Sequence, residues 1–202
     1  MPAPSSYLPR AAAAAWIVGA VVYLGVEAAS AAASGGEYHY AHDVISDLGV
    51  PGRPLAALMN VAFGVQGAMF LLGAVLAQRR RTPLLTVFAA ANAAGNVLVA
   101  TVHAGAGPLH VAGAALAIVG GNAAAVAGAG LRPGRTYRLT SRLLGTAGLV
   151  STAALVAQAW TGAQVLPAAV WERAAVYPIF AWQLLAAAVL LLPARGEHAQ
   201  RP

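Results

Sequence analysis

Three short stretches gather the residue types that do chemistry, in a chain that has few of them. The segment HDVISDLG holds His42, Asp43, Ser46 and Asp47, TVHAGAGPLH carries His103 and His110, and WER places Glu172 beside Arg173. Neutral imidazoles converging with carboxylates bind divalent metals, and zinc accepts such nitrogen and oxygen donors. His103, His110 and Asp47, with Glu172, are therefore a candidate metal set, although the spacing follows no HExxH-like signature. Without metal the same groups suit general acid–base work, in which a carboxyl in a low-dielectric cleft holds its proton near neutral pH. Ser46 with a histidine and Asp47 would make a nucleophilic set. Plainer roles stand beside these. Ser46 or Asp47 would cap a short turn ended by Gly49 and Pro51. The histidines would be inert loop residues, and Glu172–Arg173 a surface ion pair at an aromatic membrane interface.

The elements that must position these residues are membrane helices. Of 202 residues, 59% are hydrophobic and only 9% charged, with a mean hydropathy of +0.69. Soluble domains carry about a quarter charged residues. Six apolar runs, about 11–33, 54–78, 83–102, 109–131, 139–160 and 174–193, are each long enough to cross the hydrocarbon at 1.5 Å per residue. The fold class expected is an all-α, polytopic transmembrane bundle of six spans in one domain, with short loops and the first outer loop the longest. A transmembrane β-barrel would need alternating polar positions, which the runs lack. With no cysteine, disulfides, thiolate metal sites and cysteine nucleophiles are excluded. The formal charge of +6 does not point to nucleic acid. The basic residues are all arginines, clustered between apolar runs rather than striped along a face.

The arginines set orientation. Arg10, Arg79, Arg80, Arg81, Arg132, Arg135, Arg138, Arg142, Arg195 and Arg201 fall on one side of a six-span chain, and Arg53 and Arg173 on the other. Basic loops stay inside, so both termini are expected in the cytoplasm of a multi-pass plasma-membrane protein. Glu37, Asp43, Asp47 and Glu172 then lie outside with His39, His42, His103 and His110, leaving Glu197 and His198 inside. The first run could be cleaved as a signal peptide at its small residues, but its length and Glu27 favour an uncleaved anchor. The inner arginine clusters could also grip lipid phosphates.

Polar residues continue below the outer surface. Tyr23, Glu27, Ser30 and Ser34 recur at helical spacing on one face, which places Glu27 about 10 Å beneath the helix end. A carboxylate at that depth faces the bundle interior, a partner or water. Asn92, Asn96 and His103 share a face of the third run, and Glu172 and Gln183 one of the sixth. Together they suggest a polar cleft opening outward, with His42, Asp43, Asn96 and Arg173 in support. Asn60, Asn92, Asn96, Asn122 and Gln183 also suit interhelical hydrogen bonding alone. GAGPLH reads as a turn between helices, since no strand precedes it to make a phosphate cradle.

ISDLGVPG, HAGAGPLHVAGAALAIVGGN and WERAAVYPIFAWQLL resemble a prokaryotic membrane-protein family catalogued as domain of unknown function 998. The most specific piece is Ser46-Asp47-Leu48-Gly49, supported by His110 and Glu172-Arg173. The resemblance covers nearly the whole chain and implies six spans with no assigned activity. More loosely, the chain is similar to transmembrane hydrolases related to alkaline ceramidase, which hold a metal with histidines and an aspartate. It departs from them in having six spans rather than seven and in lacking a His-x-x-x-His pair on its last helix.

Three functions follow as expectations. One is a membrane-embedded hydrolase- or cyclase-type enzyme on a lipid or isoprenoid substrate from the outer leaflet, using Asp47, His103, His110 and Glu172, or Glu27 or Asp47 as acid. The second is a small proton-coupled carrier lined by Glu27 and the asparagines, completed by a homodimer. The third is an accessory subunit whose outer cluster only stabilises loops. The partners expected are membrane lipids and a lipophilic small molecule, and the cofactor, if any, a divalent metal such as zinc.

Overall fold

The computed structural model describes residues 7–78 and 82–192; Arg79–Arg81, Arg195, Glu197, His198 and Arg201 lie outside the described residues. Six helices follow one another: α1 (Tyr7–Ala33), α2 (Ala56–Ala77), α3 (Pro83–Thr101), α4 (Pro108–Ala127), α5 (Arg135–Thr161) and α6 (Ala168–Leu191). Each is long and apolar enough to cross a membrane, and the described residues contain no strand. Two 3₁₀ turns interrupt the connections, Ile45–Gly49 between α1 and α2 and Gly128–Gly130 after α4. Five of the six expected spans agree closely. The sixth begins at Ala168 rather than near residue 174, so Glu172 and Arg173 sit inside a helix and not in a loop. Pro167 at the N-cap ends the extended connection, and the Ala-Ala-Val-Trp run after it propagates without a breaker.

Consecutive helices pack against each other, and α6 closes the bundle by lying against both α1 and α5, with α4 behind it. In lipid the apolar effect does not drive helices together, because the tails are as apolar as leucine; close van der Waals approach does. The chain supplies it with small residues. Gly95 on α3 faces the backbone of Ala117 and Gly113 on α4, and Gly145 and Gly148 on α5 face Asn122. Gly73 and Gly128 instead make room for Trp16 and Trp182. Those two rings meet at 5.2 Å between centroids, and Phe70 lies 5.9 Å from Trp182. The Trp16 indole N–H donates to the Phe70 carbonyl at 3.1 Å. This aromatic plug fills the half of the bundle nearer the start of α1. Valines at 18, 61, 87, 97, 111 and 150 are exposed around the perimeter, as expected of a lipid-facing belt.

Amides fasten the helices as anticipated. Asn92 donates to the Ala117 carbonyl at 2.7 Å, joining α3 to α4, and Asn122 to the Ala175 carbonyl at 2.8 Å, joining α4 to α6. Gln66 and Gln183 join α2 to α6 at 2.7 Å, and Asn60 holds the Gly49 carbonyl at 2.9 Å. At the opposite end, Arg132 donates to the Val189 carbonyl and, at 3.0 Å, to that of Leu192. It thus satisfies backbone acceptors where α6 runs out.

Candidate functional site

The polar face of α1 is buried as its spacing requires: Tyr23, Glu27, Ser30 and Ser34 are all inside, while Gly25, Ala28 and Ala29 between them are exposed. Glu27, only 2% exposed, is matched by a cation the loop reading of WER did not provide. Because α6 starts early, Arg173 projects from its first turns toward the end of α1, where Nη2 lies 3.5 Å from the Glu27 Oε1. The Tyr177 hydroxyl, one turn further along α6, donates to the same oxygen at 2.9 Å. Arg173 also reaches the first loop. Its Nη1 donates to the Asp43 carbonyl at 2.9 Å, its Nη2 to the Tyr38 hydroxyl, and its guanidinium stacks 4.8 Å from the Tyr40 ring. Burial raises the Tyr38 phenol above its ordinary pKa, outweighing the pull of Arg173, so the ring keeps its proton. That proton goes to the Val44 carbonyl at 3.3 Å. One arginine therefore ties the loop to two helices.

Glu172 fastens the same loop one residue away. Its Oε2 accepts the Ile45 backbone N–H at 2.6 Å. Ile45 opens the 3₁₀ turn, whose N-cap residue, Val44, has no side chain able to serve its orphan N–H groups. The cap comes from another helix 127 residues away. This corrects the expectation that Ser46 or Asp47 caps the turn. Ser46 and Asp47 lie within it, and Gly49 ends it. Asp47 is half-buried. That burial pushes its carboxyl pKa up, with Asp43 adding to it; the neighbouring Val44 N–H pulls it back, as Arg53 and His110 do more weakly.

Between these contacts and the helices lies a cavity of about 50 Å³. Tyr23, Ser46, Gln66, Asn92, Asn96 and Glu172 give it polar groups; Phe63, Val99, Ile118, Val176, Ile179 and Phe180 give it an apolar wall. The Tyr23 ring packs 4.6 Å from Phe180 and 5.5 Å from Phe63. Ile45 and Ser46 of the turn form part of the lining, so the pinned loop is one wall of the cavity. Five elements contribute: α1, α2, α3, α4 and α6, with the turn as the sixth.

Of the residues singled out by sequence, Ser46, Glu172 and Asn96 meet in this cavity, and Glu27 and Arg173 pair beside it. Asp47, His103 and His110 do not line it. The two imidazoles serve their own turn instead. His110 Nδ1–H donates to the Val102 carbonyl at 2.6 Å, and His103 Nδ1–H to the Ala104 carbonyl at 2.9 Å. His103 lies past the end of α3 and is exposed, so it leaves the face that Asn92 and Asn96 share. Asp43 accepts the His39 N–H at 2.6 Å, and His42 is exposed. Among the described residues no three of histidine, aspartate and glutamate are gathered so as to hold a metal ion. The expected set of His103, His110 and Asp47, with zinc as its ion, is therefore not carried forward. Reading the sequence also missed Tyr38, Tyr177 and Gln66; Tyr177 recurs four residues after Arg173, on the same face of α6, and that spacing was the available signal.

A bundle of six apolar helices enclosing a buried Glu–Arg–Tyr cluster defines a polytopic membrane protein with its polar groups turned inward. Residues 17–189 match the family described as Protein of unknown function (DUF998), and the chain belongs to that family. No curated protein and no solved structure matches it.

Proposed function

We propose that the protein binds the polar end of a lipophilic molecule in the cavity beside the first loop, with Glu172 as its acid–base group. A hydrolase- or cyclase-type step on a lipid or isoprenoid is the activity such a site would carry. The observation that carries this reading is the lining itself. Six polar side chains from distant parts of the chain converge inside an apolar wall, and a carboxylate is among them. Among the described residues Tyr23, Ser46 and Asn96 make no side-chain hydrogen bond to another element, and polar groups without such a duty are costly inside a bundle, which is why their convergence favours a ligand. About three to five heavy atoms would fit at one water-sized volume each, so the cavity would take a head and leave the tail in lipid. The arginine distribution supports an outward-facing loop in the plasma membrane with both termini cytoplasmic. A carrier is less well supported, since the Trp16–Phe70–Trp182 plug fills the other half of the bundle.

A second reading has its own observation. Glu172 and Arg173 both spend hydrogen bonds on the backbone of residues 43–45, which would suit an accessory subunit presenting a rigid loop. Lipids retained by the purified protein separate the two. Under the binding reading, mass spectrometry finds one lipophilic species enriched in the wild type and lost in the cavity-filling Ala114→Phe, with thermal stability unchanged. Identical lipid profiles for the two proteins would leave the accessory role.

A further inference from the structure

The charged group in the cavity lining is a carboxylate with one oxygen to spare, and that specifies the ligand. Asn96 is 6% exposed, and its Nδ2 donates to the Asn92 carbonyl at 2.9 Å and to the Asn92 Oδ1 at 3.2 Å. A backbone carbonyl can only accept, so the amide orientation is fixed and Oδ1 is the atom left over. Asn92 donates one of its two Nδ2 N–H groups to the Ala117 carbonyl, and its oxygen accepts from Asn96. Gln66 and Gln183 engage each other through both ends. Glu172 uses Oε2 on Ile45, and its Oε1 forms no hydrogen bond among the described residues. The spare acceptors are the Asn96 Oδ1 and the Glu172 Oε1; the Tyr23 and Ser46 hydroxyls act either way, and the donors left over are the second amide N–H groups of Asn92 and Gln66, which are neutral. Glu172 is the only carboxylate in the lining, and Arg173, beside it in sequence, is already matched by Glu27. Tyr23, Phe63 and Phe180 add aromatic surface, which attracts a cation with an apolar stem.

We infer that the group this cavity takes is a primary ammonium on an apolar stem, donating to the Glu172 carboxylate and the Asn96 side-chain oxygen. The inference rests on the binding reading above and adds the charge and donor character of the ligand. Three N–H donors on a compact head answer the two spare acceptors and a hydroxyl. A phosphate or carboxylate head would place like charge against Glu172, with only neutral amide and hydroxyl donors in the lining to offset it. The ammonium could belong to a lipid headgroup or to a free long-chain amine.

The test is titration calorimetry of the full chain in a neutral detergent with n-octylammonium, n-octanol and octanoate, using Ala114→Phe to subtract micelle partitioning. Octylammonium binds at least about 10-fold more tightly than octanol, and octanoate gives no saturable binding. Glu172→Gln keeps an acceptor for Ile45 but brings octylammonium to the octanol level, leaving octanol unchanged. Asn96→Ala weakens octylammonium more than octanol. In nanodiscs, displacement of the amine by phosphatidylethanolamine but not by phosphatidylglycerol assigns the ammonium to a lipid; no displacement by either assigns it to a free amine. Octanol or octanoate binding as well as the amine, or a preference that survives Glu172→Gln, overturns the ammonium but leaves a lipophile site. Failure of all three to saturate overturns the site as well.

Discussion

Replacing Arg173 by Met tests how the first loop is held. The guanidinium is 8% exposed and faces Glu27, which is 2% exposed, so the substitution leaves a carboxylate buried without its cation. Breaking a buried pair by removing one partner costs about 3–5 kcal/mol, most of it the stranded charge. The Asp43 carbonyl and the Tyr38 hydroxyl lose a charged donor in the same step. For a chain of this length about 2–4 °C accompanies each kcal/mol, which places the loss of melting temperature on the order of 10 °C. Glu27→Gln added to Arg173→Met removes the stranded charge and keeps a hydrogen-bond partner for Tyr177. The double variant should therefore recover about half of the loss. The assay is thermal unfolding in one detergent, paired with limited proteolysis within residues 34–55. Cleavage should be fast in the single variant, because Arg173 and Glu172 are what fasten that loop to α6. A single variant within about 1 kcal/mol of wild type, or a double variant as unstable as the sum of its parts, refutes the coupling.

Other consequences are independent of that pair. His110→Ala removes a buried bond to the Val102 carbonyl and should cost about 1 kcal/mol, whereas His103→Ala at an exposed position stays within about 0.5 kcal/mol; equal losses would speak for a shared ligand instead. The Asp47 carboxyl is raised by burial, so the folded state favours its proton. Stability from this group is full below the ordinary aspartate value of 3.8 and is lost as pH rises through the raised one; Asp47→Asn should flatten that slope in pH-dependent melts. Gly95→Ala would drive a methyl into the Ala117 backbone and toward the Gly113 oxygen, separating α3 from α4 at about 1–3 kcal/mol, read as a lower melting temperature than Gly64→Ala, whose added methyl meets nothing.

Six spans were legible because each run is long, apolar and bounded by arginine or glycine–proline turns, and all six are helices. Local spacing also placed Tyr23, Glu27, Ser30 and Ser34 on one buried face. What it could not show was the partner. Glu172 and Arg173 read as a loop pair because charge marks loops in an apolar chain. They are inside because they answer Glu27 and the 43–45 backbone, the latter some 130 residues away and the former further still. The histidines illustrate the converse. A glycine-rich turn does bring His103 and His110 to adjoining helix ends, and the same tight turn exposes carbonyls that each imidazole satisfies. Spacing alone cannot distinguish a ligand from a cap. The short turn at Ile45–Gly49 was anticipated, but its cap, Glu172, belongs to the other end of the chain.

Occupancy of the cavity is the claim on which the functional account stands, and site-specific photocrosslinking reads it most directly. Phe63 lines the cavity while Val61, two residues earlier on α2, is 59% exposed to the surroundings. With benzoylphenylalanine at each position in turn, a mass adduct that saturates at Phe63 alone, and disappears on Ala114→Phe, is the result the account predicts. Equal, unsaturable labelling of both positions by bulk lipid would contradict it.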